Sequence, residues 1–254
     1  MALIEYEQED HVVTIAFNRP ERLNALGGTL RDDLCEAWVR FDEDPEARVA
    51  ILTGRGRAFC AGRDLKESLE EGHGGRRGYS EILSQDLVPQ TSKPTIAAVH
   101  GYAIAAGFVM ALGCDMIVAA EGTKFQMQQI RNGGTIGHYS LAILEQLPWQ
   151  SAMEMLLGGV ELDASRAHQI GFVNHVVPPD QLLEKAGEMA ANLAALPPVH
   201  LQRTKQLLTE VRPRPTQQVR DLERETREHV AGLEDTTESM RAWVERRAPV
   251  YRGR

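Results

Sequence analysis

Cysteine is sparse and unpatterned in this chain. Its three cysteines, Cys35, Cys60 and Cys114, form an odd set with no C-x-x-C pair, which argues against a disulfide framework or a cysteine-based metal centre. Cys35 and Cys114 sit in apolar surroundings and read as small core residues. Basic surplus is also missing. The formal net charge of −8 argues against a general nucleic-acid or anionic-membrane surface, although Arg55/Arg57/Arg63, Arg76/Arg77 and Arg246/Arg247/Arg252 form loose basic groups. No apolar run approaches the ~18 residues that span a bilayer. The opening residues read as strand rather than as a basic-then-apolar leader. The expectation is a soluble, cytoplasmic protein without membrane or nucleic-acid partners. No G-x-G-x-x-G follows the first strand, which removes a Rossmann dinucleotide site. G-x-S-x-G, H-E-x-x-H and P-loop patterns are lacking too.

What is present is an ordinary globular composition, 43% hydrophobic and 25% charged over 254 residues, enough for one sizeable core with a helical appendage. Alternation predicts strands at Ile4 to Gln8 and Val12 to Phe17, joined at Glu9-Asp10-His11, then a break at Asn18-Arg19-Pro20-Glu21. Thr29 to Phe41 reads as a helix, with Thr29 and Asp32 as a capping box and Leu30, Leu34, Ala37, Trp38 and Phe41 on one face. Strands follow at Val49 to Leu52, Thr95 to Val99 and Met116 to Ala119. Residues 66–90 carry charge and the run Gly72-His73-Gly74-Gly75-Arg76-Arg77-Gly78, a flexible loop that is either a lid or surface slack. Helical pattern begins after Gly137. Ser151 with Glu154 suggests a second capping box, Asp163 starts a short helix, and Phe172 to Val177 reads as the last strand. Four helices follow, over 180–196, 199–210, 216–233 and 236–247. Early strands and late helices predict a βαβ core with a C-terminal helical region.

Chemistry concentrates in two stretches. Lys93 to Asp115 reads as a buried strand, a glycine turn and a helix start at Ala105-Ala106-Gly107. Gly54 to Leu65, GRGRAFCAGRDL, follows the strand at Val49 to Leu52. Small side chains at both places leave peptide N–H groups bare, one of them at a positive helix end, which suits a developing negative oxygen. Together they suggest a pocket that polarises a carbonyl from two sides.

Five segments in order resemble the crotonase (enoyl-CoA hydratase/isomerase) superfamily over nearly the whole chain. They are Asn18-Arg-Pro-Glu-Arg-Leu-Asn-Ala-Leu26, Ala58-Phe-Cys-Ala-Gly-Arg-Asp-Leu65, Lys93-Pro-Thr-Ile-Ala-Ala-Val-His-Gly-Tyr102, Gly171-Phe-Val-Asn-His-Val-Val-Pro178 and the ending Ala242 to Arg254. The resemblance implies an α/β fold, a spiral of ββα repeats over residues 1–196 that carries the site. A C-terminal helical trimerisation region over 197–254 would assemble homotrimers or hexamers. It implies an acyl-CoA substrate, with coenzyme A as part of that substrate and no separate cofactor or metal. By motif position, the oxyanion donors are the N–H groups of Arg63 and Ala106, while Arg22, Ala61, Gly62 and Gly107 lie along the coenzyme A side.

The same resemblance exposes a departure. The two glutamates that handle water in the usual hydratase fall at Val109 and Gln129. Valine has no proton to exchange, and glutamine is no base near neutral pH. A non-hydratase step is therefore expected: isomerisation, decarboxylation, hydrolysis or a lyase step. The alternative is a homologue that binds acyl-CoA without chemistry. His138 falls roughly where several relatives place a catalytic aspartate, and its near-neutral titration suits proton transfer. Tyr139 is a weaker proton donor candidate, Arg131 is a candidate for a substrate carboxylate in the pocket, and Asp64 reads as a helix cap. Glu81 and Asp86 read as solvated face. Cys60 reads as packing rather than as a nucleophile. Arg246 or Arg252 is a further candidate for the coenzyme A phosphates.

Overall fold

The computed structural model describes residues 2–64, 66–67, 91–135, 141–212 and 216–254, with backbone only at 141, 142, 243 and 244. The proposed glycine loop, Glu81, Asp86, His138 and Tyr139 lie outside the described residues.

β1 (Ile4–Glu9) and β2 (Val12–Phe17) pair antiparallel around Asp10, whose φ is 49°. Four strands then extend the sheet in parallel: β3 (Val49–Gly54), β4 (Thr95–Val99), β6 (Met116–Ala120) and β9 (His175–Val177). The order is β1-β2-β3-β4-β6-β9. A second sheet, unanticipated from the sequence, has the order β5-β7-β8, from β5 (Tyr102–Ile104), β7 (Lys124–Gln126) and β8 (Leu162–Asp163). These strands have two or three residues each, too short for alternation to reveal them.

Side-chain alternation along the large sheet sorts two cores. One face carries Val13, Ile15, Phe17, Ala50, Leu52, Ala97, Val99 and Ala119 against α1 (Leu30–Glu43) and α2 (Ala106–Gly113). The other carries Val49, Ile51, Ile96, Ala98, Val118 and Ala120 against Leu182, Ala186, Ala190 and Ala194. Those four lie four residues apart on one stripe of a later helix, 182–194, so the helix sits close over the strands.

The first core also takes in Ile143, Ala152, Met155, Leu156 and Ala167, from α3 (Leu141–Gln146), α4 (Trp149–Gly158) and α5 (Ala164–Gln169). Asp163 caps α5, accepting from the Arg166 N–H at 2.8 Å. The two expected capping boxes do not form. Thr29 has φ −90° and ψ 2°, and its hydroxyl donates to Asp33 instead. Ser151 is buried inside α4, which begins earlier, after Pro148. The last strand also starts three residues later than its apolar run, at His175.

The helix 182–194 is α6 (Leu182–Ala194), followed by α7 (Pro198–Glu210), α8 (Gln217–Ala231) and α9 (Glu234–Glu245). Lys205 of α7 ties to the sheet through the Lys93 carbonyl and the Asp115 carboxylate, both at 2.7 Å. α9 returns to a turn at Ile130–Asn132, where Thr236 donates to the Gly133 carbonyl. Among the described residues no helix is long and apolar enough to cross a membrane.

Candidate functional site

Both amide-bearing segments lie side by side. A parallel bridge pairs Cys60 with Ala103: the Cys60 N–H donates to the Tyr102 carbonyl (3.0 Å), and the Ile104 N–H donates to the Cys60 carbonyl (2.9 Å). Glycine permits this approach. A methyl group on Gly62 would stand 2.7 Å from the Ile104 oxygen, and one on Gly107 would stand 2.2 Å from the Cys60 oxygen. Gly62 also holds φ +80°, which disfavours a side chain there.

Arg63 lies on a second bridge, opposite Leu26. Leu26 N–H donates to the Gly62 carbonyl (2.7 Å), and Asp64 N–H donates to the Leu26 carbonyl (3.0 Å). In this parallel pattern the bridged residue's own N–H points to the opposite side, so the Arg63 N–H points away from the 23–26 loop. That loop is itself pinned by Asn24, which is fully buried. Its Nδ2 donates to the Arg55 and Ala58 carbonyls at 2.9 and 2.7 Å, and its Oδ1 accepts from the Arg19 N–H at 2.8 Å. Leu23 and Asn24 adopt left-handed φ of 52° and 56°, a conformation these bonds sustain.

Charge holds the far side of the Arg63 segment. Arg19 pairs with Asp64 at 3.1 Å and with Glu67 at 2.9 Å. Asp64 also accepts from the Lys66 and Glu67 N–H groups, the capping arrangement read from the sequence.

The second segment is built differently. Ala105 precedes α2 with φ 50° and ψ −113°, a region that a side chain rarely occupies and that costs about 1–3 kcal/mol. Its N–H donates to the Gln126 carbonyl at 2.8 Å, and its carbonyl accepts from the Val109 N–H at 3.0 Å. The first N–H groups of a helix have no intrahelical acceptor, and that of Ala106 opens α2. Val109 lies three residues on, on the same helix face as Ala106 and buried.

Gln129 starts the 130–132 turn, and its Oε1 is buried without a hydrogen-bond partner among the described residues. Arg131 turns elsewhere: its guanidinium reaches the Gly158 carbonyl and packs against Gly159. Ala61 donates to the Leu23 carbonyl (3.0 Å), which brings it beside the exposed turn bearing Arg22. Burial pushes the Cys60 thiol up to about 12, although its Sγ accepts from the Gly62 N–H. A thiol so placed is unreactive near neutrality.

Sequence reasoning named the two amide segments but missed Asn24 and Arg19 as their supports. Both sit in the Asn18–Leu26 motif, yet the segments they hold lie 31 to 48 residues away. It missed Gln126 as well, whose part depends on the unforeseen second sheet.

The sequence profile described as Enoyl-CoA hydratase/isomerase matches residues 7–254. Enoyl-CoA hydratase EchA19 of Mycobacterium tuberculosis H37Rv is 34% identical over 254 residues, covering 98% of this chain and 96% of that protein. (E)-benzylidenesuccinyl-CoA hydratase of Thauera aromatica is likewise 34% identical, covering 98% and 99%. Among solved structures, a carnitinyl-CoA hydratase from Mycobacterium avium superposes with a TM-score of 0.88 at 28% identity, covering 99% of each chain.

Proposed function

The chain belongs to the enoyl-CoA hydratase/isomerase family, with the crotonase fold, and on that premise we propose that it is an enzyme acting on acyl-CoA thioesters. The thioester oxygen takes hydrogen bonds from the Arg63 and Ala106 N–H groups, which stabilise the enolate or tetrahedral anion formed from it. Such a donor is worth roughly 10²–10³ in rate. The observation that carries this reading is the backbone-to-backbone contact of Gly62 and Gly107 with the neighbouring segment, which brings the two small-residue turns together. Coenzyme A runs past Arg22, Ala61, Gly62 and Gly107. The helical region from residue 197 joins copies of the chain into a trimer or hexamer.

The step itself does not use paired carboxylates, because Val109 and Gln129 stand at their positions. Each missing acid or base removes roughly 10²–10⁴ in rate. Isomerisation, decarboxylation, hydrolysis or a lyase step fits this side-chain set better than the addition of water between two glutamates. His138 is the proton carrier under this proposal, and His138→Ala lowers turnover at least about tenfold; unchanged kinetics would remove it from the mechanism.

The test is mass spectrometry of enoyl, 3-hydroxyacyl, malonyl-type and aromatic thioesters incubated with the pure protein. Loss of carbon dioxide, release of coenzyme A or migration of a double bond supports the proposal. Gain of water on a simple enoyl-CoA contradicts the non-hydratase step. Binding without any product favours a non-catalytic acyl-CoA binder.

A further inference from the structure

The strained Ala105 turn needs an external hold, and one polar chain is built to supply it. Residue ψ sets the plane of the following peptide, so the ψ of Ala105 aims the Ala106 N–H. At φ 50° and ψ −113° an alanine relaxes unless its surroundings over-determine it. One of those surroundings is the Gln126 carbonyl, which accepts the Ala105 N–H at 2.8 Å. Gln126 is the last residue of a strand three residues long, paired with Ile104 in register. A strand end of that length frays easily unless its side chain is anchored.

The anchor is visible. Antiparallel register pairs Lys124 with Asp163 and Phe125 with Leu162, so Glu161 stands opposite Gln126. Phe125 and Leu162 turn into the core, while Gln126 and Glu161 share the other face. Gln126 is only 7% exposed, and its Nε2 donates to Glu161 Oε2. Lys124 donates to Glu161 Oε1, and Gln128 Nε2 donates to Gln126 Oε1. A carboxylate only accepts, so Glu161 fixes which end of the Gln126 amide faces it, and Gln128 completes the chain on the other end.

We propose that Gln126, anchored by Glu161, is a positioning residue that holds the Ala105 turn and thereby aims the Ala106 N–H at the substrate oxygen. The inference rests on the oxyanion reading above. Its consequence is a division of labour in which a polar chain outside the core controls carbonyl polarisation but not affinity.

A chromophoric probe, the coenzyme A thioester of para-dimethylaminocinnamic acid, reads that polarisation directly. Its absorption moves to longer wavelength when its carbonyl is polarised. Wild-type protein is expected to shift it. Gln126→Leu and Glu161→Leu are expected to bind with comparable affinity, to lose at least half of the shift and to lower kcat about tenfold with little change in KM. Glu161 is 38% exposed at its side chain, so its variant tests the chain without opening the core. The exchange Gln126→Glu with Glu161→Gln reverses the chain and satisfies every donor again, and is expected to restore most of the shift. Both readings fall if wild type binds the probe with no shift. A full shift in the single variants, or an exchange no better than either single change, overturns the positioning role alone.

Discussion

The two segments that present the candidate donors reach the same result by opposite means. Around Arg63, the chain is held by side chains from elsewhere: Asn24 beneath the loop, and Arg19 bridging Asp64 and Glu67. Around Ala106, what is held is a strained backbone, a disfavoured Ala105 conformation at a helix start whose N–H is taken by the Gln126 carbonyl. Electrostatic support resists substitution poorly when one charge is removed, because the remaining charge is left stranded. Conformational support resists volume poorly, because no space remains for a Cβ.

The largest effect should come from pressing the two segments apart. Gly107→Ala places a methyl 2.2 Å from the Cys60 oxygen, so α2 must withdraw; turnover is expected to fall about 100-fold or more. Steady-state kinetics on any thioester turned over by the wild type checks this. Near-normal turnover would show that the contact does not set donor geometry.

Arg19→Met attacks the other side. It takes the Arg19 guanidinium, 3.1 Å away, from Asp64, which is 6% exposed, and stability should drop by about 1–3 kcal/mol. Urea denaturation gives the number; a loss within experimental scatter would mean that the capping bonds to Asp64 suffice. Ala105→Gly should act in the opposite direction on stability. Removing the Cβ relieves strain of about 1–3 kcal/mol, offset by about 1 kcal/mol of added chain entropy. The melting temperature is therefore expected to hold or rise slightly while turnover declines. A clear fall in melting temperature would show that Ala105 is not strained in the folded protein.

The smallest effect concerns reactivity. Burial pushes the thiols of both Cys60 and Cys114 up to about 12, whereas Cys35 is partly exposed. Labelling of the folded protein at pH 8 with an aromatic disulfide is expected to modify Cys35 alone. Rapid modification of Cys60 would show that the Arg63 segment opens despite its side-chain supports.

Much of this was readable from the chain. The long strands of the large sheet and the late helices announce themselves by period, because burial on a defined face forces apolar spacing. The Ala105–Gly107 helix start and the Gly62 turn are legible because only small residues fit there. The supports are not. Nothing in the spacing of Arg19 and Asp64, or of Gln126 and Glu161, shows that the fold brings them together. The strain at Ala105 is equally silent, since alanine is an ordinary residue until its φ is known. Capping boxes misled for a related reason: Thr29 with Asp32 and Ser151 with Glu154 have the right types, but Thr29 precedes α1 with φ −90° and ψ 2° and bonds Asp33 instead, and α4 starts earlier, after Pro148.

A crystal structure with a saturated ketone analogue, in which a methylene replaces the thioester sulfur so that it cannot be hydrolysed, bears most directly on the two-donor reading. Its carbonyl oxygen is expected within about 2.7–3.1 Å of both the Arg63 and Ala106 nitrogens. A carbonyl bound elsewhere, or held by only one of the two, would contradict that reading.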